Sequence, residues 1–153
     1  MLSAGCIPWC GQSWGYTPSD LDSHLFTTKG SASDHIWYGD QYDDFNNYLD
    51  VDDTSSFGPE TVTIRSFSKD DYYKYCVVDF TNCAGGNPTS YEMSMSGATV
   101  NVYSTNGLVG TYHVPTNTSG VIWEVFEIRN GILSPIQRYY NNVSDKEWWH
   151  GDK

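Results

Sequence analysis

The chain has 153 residues, with 19 Asp and Glu against 8 Lys and Arg, and a formal net charge of -11. That charge opposes phosphate backbones and anionic lipid, removing nucleic acid and membrane surfaces as default partners. An aromatic content of 16% excludes acidic disorder, and 14 Gly with 6 Pro interrupt the chain too often for a helical bundle.

The length suits one domain, and no run approaches the roughly 20 apolar residues of a membrane span. In chain order, Met1 to Trp14 is apolar enough to pair as a strand, but Pro8 and the glycine and cysteine interruptions disfavour a central position. Leu21–Phe26 and His35–Tyr38 read as short strands, and residues 39–59 as loop with strand fragments. Glu60–Arg65 and Tyr72–Phe80 follow, rich in β-branched and aromatic residues. Asn106-Gly107 divides Ala98–Tyr103 from Leu108–Val114, and Asn130-Gly131 divides Val121–Ile128 from Ile132–Ile136. An Asn-Gly pair tolerates the positive φ angles of a type I′ hairpin turn. Val121–Ile128 carries apolar groups on both alternating faces, the pattern of a central strand covered on both sides. No helix and no repeat at 20–50 residues is expected. Seven or more short strands predict an all-β, Ig-like antiparallel β-sandwich, with a barrel as the structural alternative. The tail from 141 to 153 contains Glu147-Trp-Trp-His150, which suits either a contact surface or a fold-back onto the sandwich.

Cys6, Cys10, Cys76 and Cys83 permit three disulfide connectivities. Their C-x3-C and C-x6-C spacings fit no zinc knuckle pair, so disulfides are expected ahead of metal or free thiols. Asn117-Thr-Ser and Asn142-Val-Ser are glycosylation sequons, in keeping with an extracellular or cell-surface location.

Ten of the 19 acids lie between Asp20 and Glu60, and no basic residue falls between Lys29 and Arg65. Asp20-Leu-Asp22 and Asp50-Val-Asp-Asp53 are D-x-D clusters. On a strand each pair of carboxylates shares one face, and Leu21 or Val51 points into the core. Crowded carboxylates repel unless a cation or hydrogen-bond donors neutralise them. Asp20, Asp22, Asp50, Asp52, Asp53 and Glu60 are therefore candidate calcium ligands, since calcium takes six to eight oxygens in flexible geometry. Acidic loops that merely cap turns are the competing reading. The loop is not an EF-hand. His24 and His35 lack the further partners that zinc would need, and packing or hydrogen bonding accounts for them. Ser, His and Asp occur without a nucleophile-elbow context, and Gly85-Gly86 lacks a phosphate-loop setting, so no enzyme activity is expected.

Trp14-Gly-Tyr-Thr-Pro-Ser-Asp-Leu-Asp-Ser-His-Leu25, His35-Ile-Trp-Tyr-Gly39 and Leu49-Asp-Val-Asp-Asp-Thr-Ser-Ser-Phe-Gly-Pro-Glu-Thr-Val-Thr-Ile64 carry the most specific patterns. With Tyr73–Phe80, Ser96–Tyr103 and Val121–Phe126, they resemble, over about residues 14 to 138, secreted bacterial β-sandwich domains of unknown function that include the YfaP-like proteins. The resemblance implies an Ig-like sandwich outside the cytoplasm and no known enzyme activity. Members are usually modules of larger surface proteins, and the cysteine-bearing start and Trp-Trp tail fall outside the shared pattern.

The expected organisation is an N-terminal extension (1–13), a sandwich (14–140) and a C-terminal tail (141–153). The extension is a candidate donor strand that completes a neighbour's sheet, as in pilus-type assemblies, which would make the chain a calcium-stabilised subunit of a homopolymeric surface fibre. The alternative is a carbohydrate-binding or adhesive module, with Trp37, Tyr38, Tyr42 and Tyr48 stacking on sugar rings beside the acidic loop. A hydrolase is the third reading, which would depend on Asp20, Asp22, Asp50 or Asp52.

Overall fold

The computed structural model describes Leu2 and residues 9–141. Within them, period-2 burial and turn residues produce ten strands: β1 (Trp9–Ser13), β2 (Leu21–Lys29), β3 (Ala32–Ile36), β4 (Tyr48–Val51), β5 (Glu60–Thr63), β6 (Tyr72–Asp79), β7 (Thr99–Ser104), β8 (Gly107–His113), β9 (Ile122–Arg129) and β10 (Ile132–Tyr140). They form two five-stranded antiparallel sheets, ordered β4-β5-β1-β7-β8 and β10-β9-β6-β2-β3. The fold is a β-sandwich, not a barrel.

Alternation along each strand fills the space between the sheets. Cys10, Val62, Val100 and Val102 of the first sheet meet Leu21, Leu25, Tyr73, Tyr75, Val77, Trp123 and Phe126 of the second in one buried cluster. The Tyr75 and Phe126 rings stack at 5.3 Å. Burial of a side chain such as Phe126 contributes about 1.5–3 kcal/mol. The other face of the second sheet carries a smaller cluster of Cys76, Val78, Val121 and Ile122, packed by Phe26, Cys83 and Tyr140. β9, between β10 and β6, is covered on both faces as its composition requires.

Several expectations need correction. β1 lies in the middle of its sheet, paired with β5 on one side and β7 on the other. Gly11 is tolerated there because Cys10 and Gln12 point inward and are fully buried. Two short helices occur, α1 (Phe80–Ala84) and α2 (Glu92–Met95). The first arises because the Asp79 carboxylate, at what reads as a strand end, accepts from Asn82 N at 3.0 Å and caps a helical turn. Val51 is 46% exposed instead of inward, because the β4–β5 register shifts between Leu49 and Val51. Of the two Asn-Gly turns, Asn130-Gly131 has φ angles of 54° and 69°, as type I′ demands. In the other, Ser104 pairs with Gly107, so Thr105-Asn106 occupies the turn, and Asn106 has no positive φ.

Cys10, Cys76 and Cys83 are free thiols, contrary to the disulfide expectation. Cys10 faces the space between the sheets and Cys76 the opposite face of the second sheet, so a sheet separates them. Burial pushes the Cys83 thiol up to about 11 and the other two higher still. Cys6, Asn142 and the Trp-Trp tail lie outside the described residues. Asn117 is exposed between β8 and β9.

Charge is distributed unequally along the strands. Lys29, Tyr72 and Arg129 align at one end of the second sheet, and Leu21, Asp79 and Ile122 at the other. Lys29 also reaches Ser66 O and Asp71, beyond Arg65. Of the six described Lys and Arg residues, five therefore cluster at or near the Tyr72 end (Lys29, Arg65, Lys69, Lys74, Arg129), while Asp20, Asp22, Glu60 and Asp79 occupy the other.

Candidate functional site

The acidic end is built where β3 stops short. β3 pairs with β2 only from Leu25 to Lys29, leaving the Leu21–His24 half of β2 without a strand on that side. Side chains from the first sheet take over that open edge. Glu60, the first residue of β5, accepts from Ser23 N through Oε2 at 2.6 Å. Gln12, opposite Glu60 in the β1–β5 register, donates from Nε2 to Leu21 O at 2.6 Å. Gln12 Oε1 accepts from Tyr75 OH at 3.4 Å, and Tyr75 OH lies 2.6 Å from Ser23 Oγ. The two sheets are thus joined by a buried polar layer, with Gln12 and Glu60 both wholly inaccessible.

Against this layer, Asp20, Asp22 and Glu60 bring carboxylate oxygens to within 4.8 Å of one another. Burial, with Asp20 and Asp52 alongside, pushes the Asp22 carboxyl up to about 8. Burial pushes Glu60 up to about 9, against the pull of its Ser23 bond. Asp20 is raised too, by burial and by the charge of Asp52. Asp20 N is fixed by Thr81 Oγ1 at 3.0 Å, which ties the start of β2 to α1.

Three of the six candidate ligands therefore converge and three do not. Asp50 accepts from Thr63 Oγ1 at 2.7 Å. Asp53 accepts from Ser55 N and Oγ in a local turn, which lowers its pKa. Asp52 is exposed, although its charge acts on all three clustered acids. Elsewhere in the acidic interval, Asp43 accepts from Phe45 N, Asn47 N and Asn47 Nδ2, and Asp34 accepts from His35 N and Asp44 N. These acids build loops.

The histidines are occupied with each other. His24 Nδ1 and His35 Nε2 lie 2.8 Å apart, and the His35 ring stacks on Phe26 at 4.0 Å. Burial lowers both pKa values, that of His35 to about 4. Trp37, Tyr38 and Phe80 form an edge-to-face ladder with centroids 4.7 and 5.2 Å apart, and the Asp22, Asp20 and Asp52 charges act on the half-exposed Tyr38. Tyr42 and Tyr48 stack on each other, with Arg65 over the Tyr48 ring.

No protein-family model matches the chain, and no curated protein matches it. Among solved structures, one described as the crystal structure of the unknown function protein SAV2460 is similar. The TM-score is 0.65 at 14% identity, over 90% of this chain and 91% of that one. At such identity the likeness is one of fold alone. The D-L-D-S-H and G-P-E blocks singled out in the sequence supply Asp20, Asp22 and Glu60.

Sequence reasoning missed Gln12, Ser23, Tyr75 and Thr81. Only Gln12 left a signal, as the polar residue between Cys10 and Trp14 on the inward face of an apolar segment. Glu60 is delivered by a tight loop in which Ser56, Phe57 and Gly58 all have positive φ, 70° at Gly58. A Cβ on Gly58 would lie 2.8 Å from the Trp14 ring and 3.0 Å from Gln12 O. Gly58→Ala is expected to cost about 2–4 kcal/mol, from backbone strain plus overpacking. Urea unfolding with an unchanged m-value checks this, and a loss below about 1 kcal/mol would mean that the loop re-forms easily.

Proposed function

We propose that this protein is a non-catalytic structural subunit, working outside the cytoplasm, that assembles through its first strand. The observation that carries this reading is the position of β1. It is the first strand among the described residues, yet it occupies the middle of a five-stranded sheet. Removing it would unpair β5 and β7 and open a groove along Val62, Val100 and Val102. A strand of the same sequence from a second copy fits that groove as well as the chain's own. Residues 14–20 connect it to β2, so the exchange needs only that short segment to swing. Exchange passed from copy to copy does not close and builds a filament.

The test images the full chain and a variant lacking residues 1–13, with and without a peptide of residues 9–14. Filaments from the full chain, lost on truncation and with the peptide capping the truncated body, are expected. Filaments of unchanged form without residues 1–13 would sink the reading, as would a full chain that stays monomeric after unfolding and refolding at high concentration.

A carbohydrate-binding module is the second reading, favoured by the Trp37–Tyr38–Phe80 ladder beside the acidic end. A glycan array with and without chelator separates it, and no retained sugar in either condition counts against it.

A further inference from the structure

We propose that Asp20, Asp22 and Glu60 are the protein ligands of a hard divalent cation, calcium, which ties β5 of one sheet to β2 of the other. Three observations meet here. The carboxylate oxygens already lie within 4.8 Å of one another, and two calcium ligands on opposite sides of an ion at about 2.4 Å stand about that far apart. Glu60 is wholly inaccessible, yet its Oε1 has no hydrogen-bond partner while its Oε2 is held by Ser23 N. Asp20 Oδ1 is buried with no donor from outside the cluster, and the Asp20 carboxyl is otherwise engaged only by its neighbour Asp22. A buried carboxylate oxygen with nothing to bond is costly unless something fills its lone pairs.

No Lys or Arg among the described residues fills them. Among the described residues, Lys29 pairs with Asp71, Lys69 with Asp70, Lys74 and Arg138 with Glu124, and Arg129 with Glu127, while Arg65 lies over the Tyr48 ring. The charges acting on the cluster from neighbouring elements are Asp52 and Asp53 of the loop before β5 and Asp79 at the end of β6, all acidic; Tyr38, Tyr75 and Cys83 are titratable neutral groups nearby. The donor set is oxygen only, since the converging group holds carboxylates and neither His nor Cys, and that selects calcium or magnesium over zinc. With only three protein carboxylates from two sheets, calcium, which accepts flexible geometry, is favoured over magnesium, which requires near-ideal octahedral geometry at about 2.0–2.1 Å.

Since Glu60 sits opposite Gln12 in the β1–β5 register, an ion here also holds β1 in its sheet. That consequence alone rests on the strand-exchange reading; the binding itself does not.

The experiment titrates calcium, then magnesium, into the full-length protein after chelator treatment at pH 7.5, following heat, released protons and terbium luminescence sensitised by Tyr38. Saturable calcium binding is expected, with proton release as the carboxyls ionise and at least tenfold weaker magnesium binding. Glu60→Gln keeps an acceptor for Ser23 N and is expected to weaken calcium binding at least tenfold while raising the melting temperature of the metal-free protein. Asp50→Asn and Asp53→Asn are expected to bind as the parent does. Absence of binding at 10 mM calcium would overturn the proposal, as would Glu60→Gln binding with parental affinity or Asp53→Asn losing affinity as much as Glu60→Gln. Binding by a strict monomer would leave this inference standing and remove only strand exchange.

Discussion

In the presence of chelator, the melting temperature is expected to change only gently from about pH 5 to 6.5 and then to fall more steeply to pH 9. Asp22 and Glu60 have folded pKa values of about 8 and about 9, far above the unfolded value of about 4. Groups raised in this way contribute stability that is complete below the unfolded pKa and lost as pH rises through the folded one. His24 and His35 act in the opposite sense. Their pKa values are lowered in the fold, so they contribute stability above about 6.5 that is lost as pH falls. Between pH 5 and 6.5 the two effects oppose each other, with Asp79, raised to about 6, and Asp20 adding to the carboxyl side, and above 6.5 the histidines no longer offset the carboxyls. Allowing for relaxation and for coupling between the acids, the loss from pH 6.5 to 9 is on the order of 3 kcal/mol, or roughly 6–12 °C for a domain of this size. Excess calcium should recover most of it at pH 8.5. Calorimetric melts at half-unit pH steps read the profile; a level chelated curve from 6.5 to 9 would show that the acids are not desolvated as the fold implies.

Gln12→Leu is expected to lower stability by about 2–3 kcal/mol. Its amide is the donor to Leu21 O on the open half of β2 and an acceptor for Tyr75 OH, all of them buried. Leucine fits the volume but leaves the carbonyl unsatisfied, which costs about 1–3 kcal/mol, and it places an apolar group against Glu60. Chemical denaturation measures the change. A loss under 0.5 kcal/mol would mean that water reaches this layer. The proposed strand exchange should also accelerate, since this side chain anchors β1 to the opposite sheet.

The strands that pair locally could be read from the chain. Asn130-Gly131 with alternating flanks, and the two-faced apolar pattern of Val121–Ile128, specify hairpin and burial by themselves. What could not be read was set by partners distant in sequence. β1 has glycine and cysteine where a central strand usually has β-branched residues, and it is central because β5 and β7 need a strand between them. Val51 follows the inward pattern, and a register shift turns it out. The acids show the limit most clearly. Asp22, Asp43, Asp53 and Glu60 look alike in a run of carboxylates. Asp43 and Asp53 find donors within four residues, whereas Asp22 and Glu60 are forced together from two sheets. Sequence supplies the charge, and the fold decides which charges go unanswered.

The separation of charge along the strands has a consequence for encounters. Above about pH 9, where Asp22 and Glu60 are both ionised, no described Lys or Arg pairs with the acidic cluster, whereas at the other end Lys29, Lys69, Lys74 and Arg129 are matched by acids. The molecule then carries a charge asymmetry along its strand direction. A positively charged surface turns it acidic end first before any atoms touch, and two copies drifting together are rotated towards end-to-end alignment. Ionic strength controls this steering, which fades beyond about 8 Å at physiological salt and reaches about 30 Å in dilute buffer. Loading the acidic end with the proposed divalent ion would shrink this asymmetry, so an ion bound there would also make the molecule's collisions less oriented.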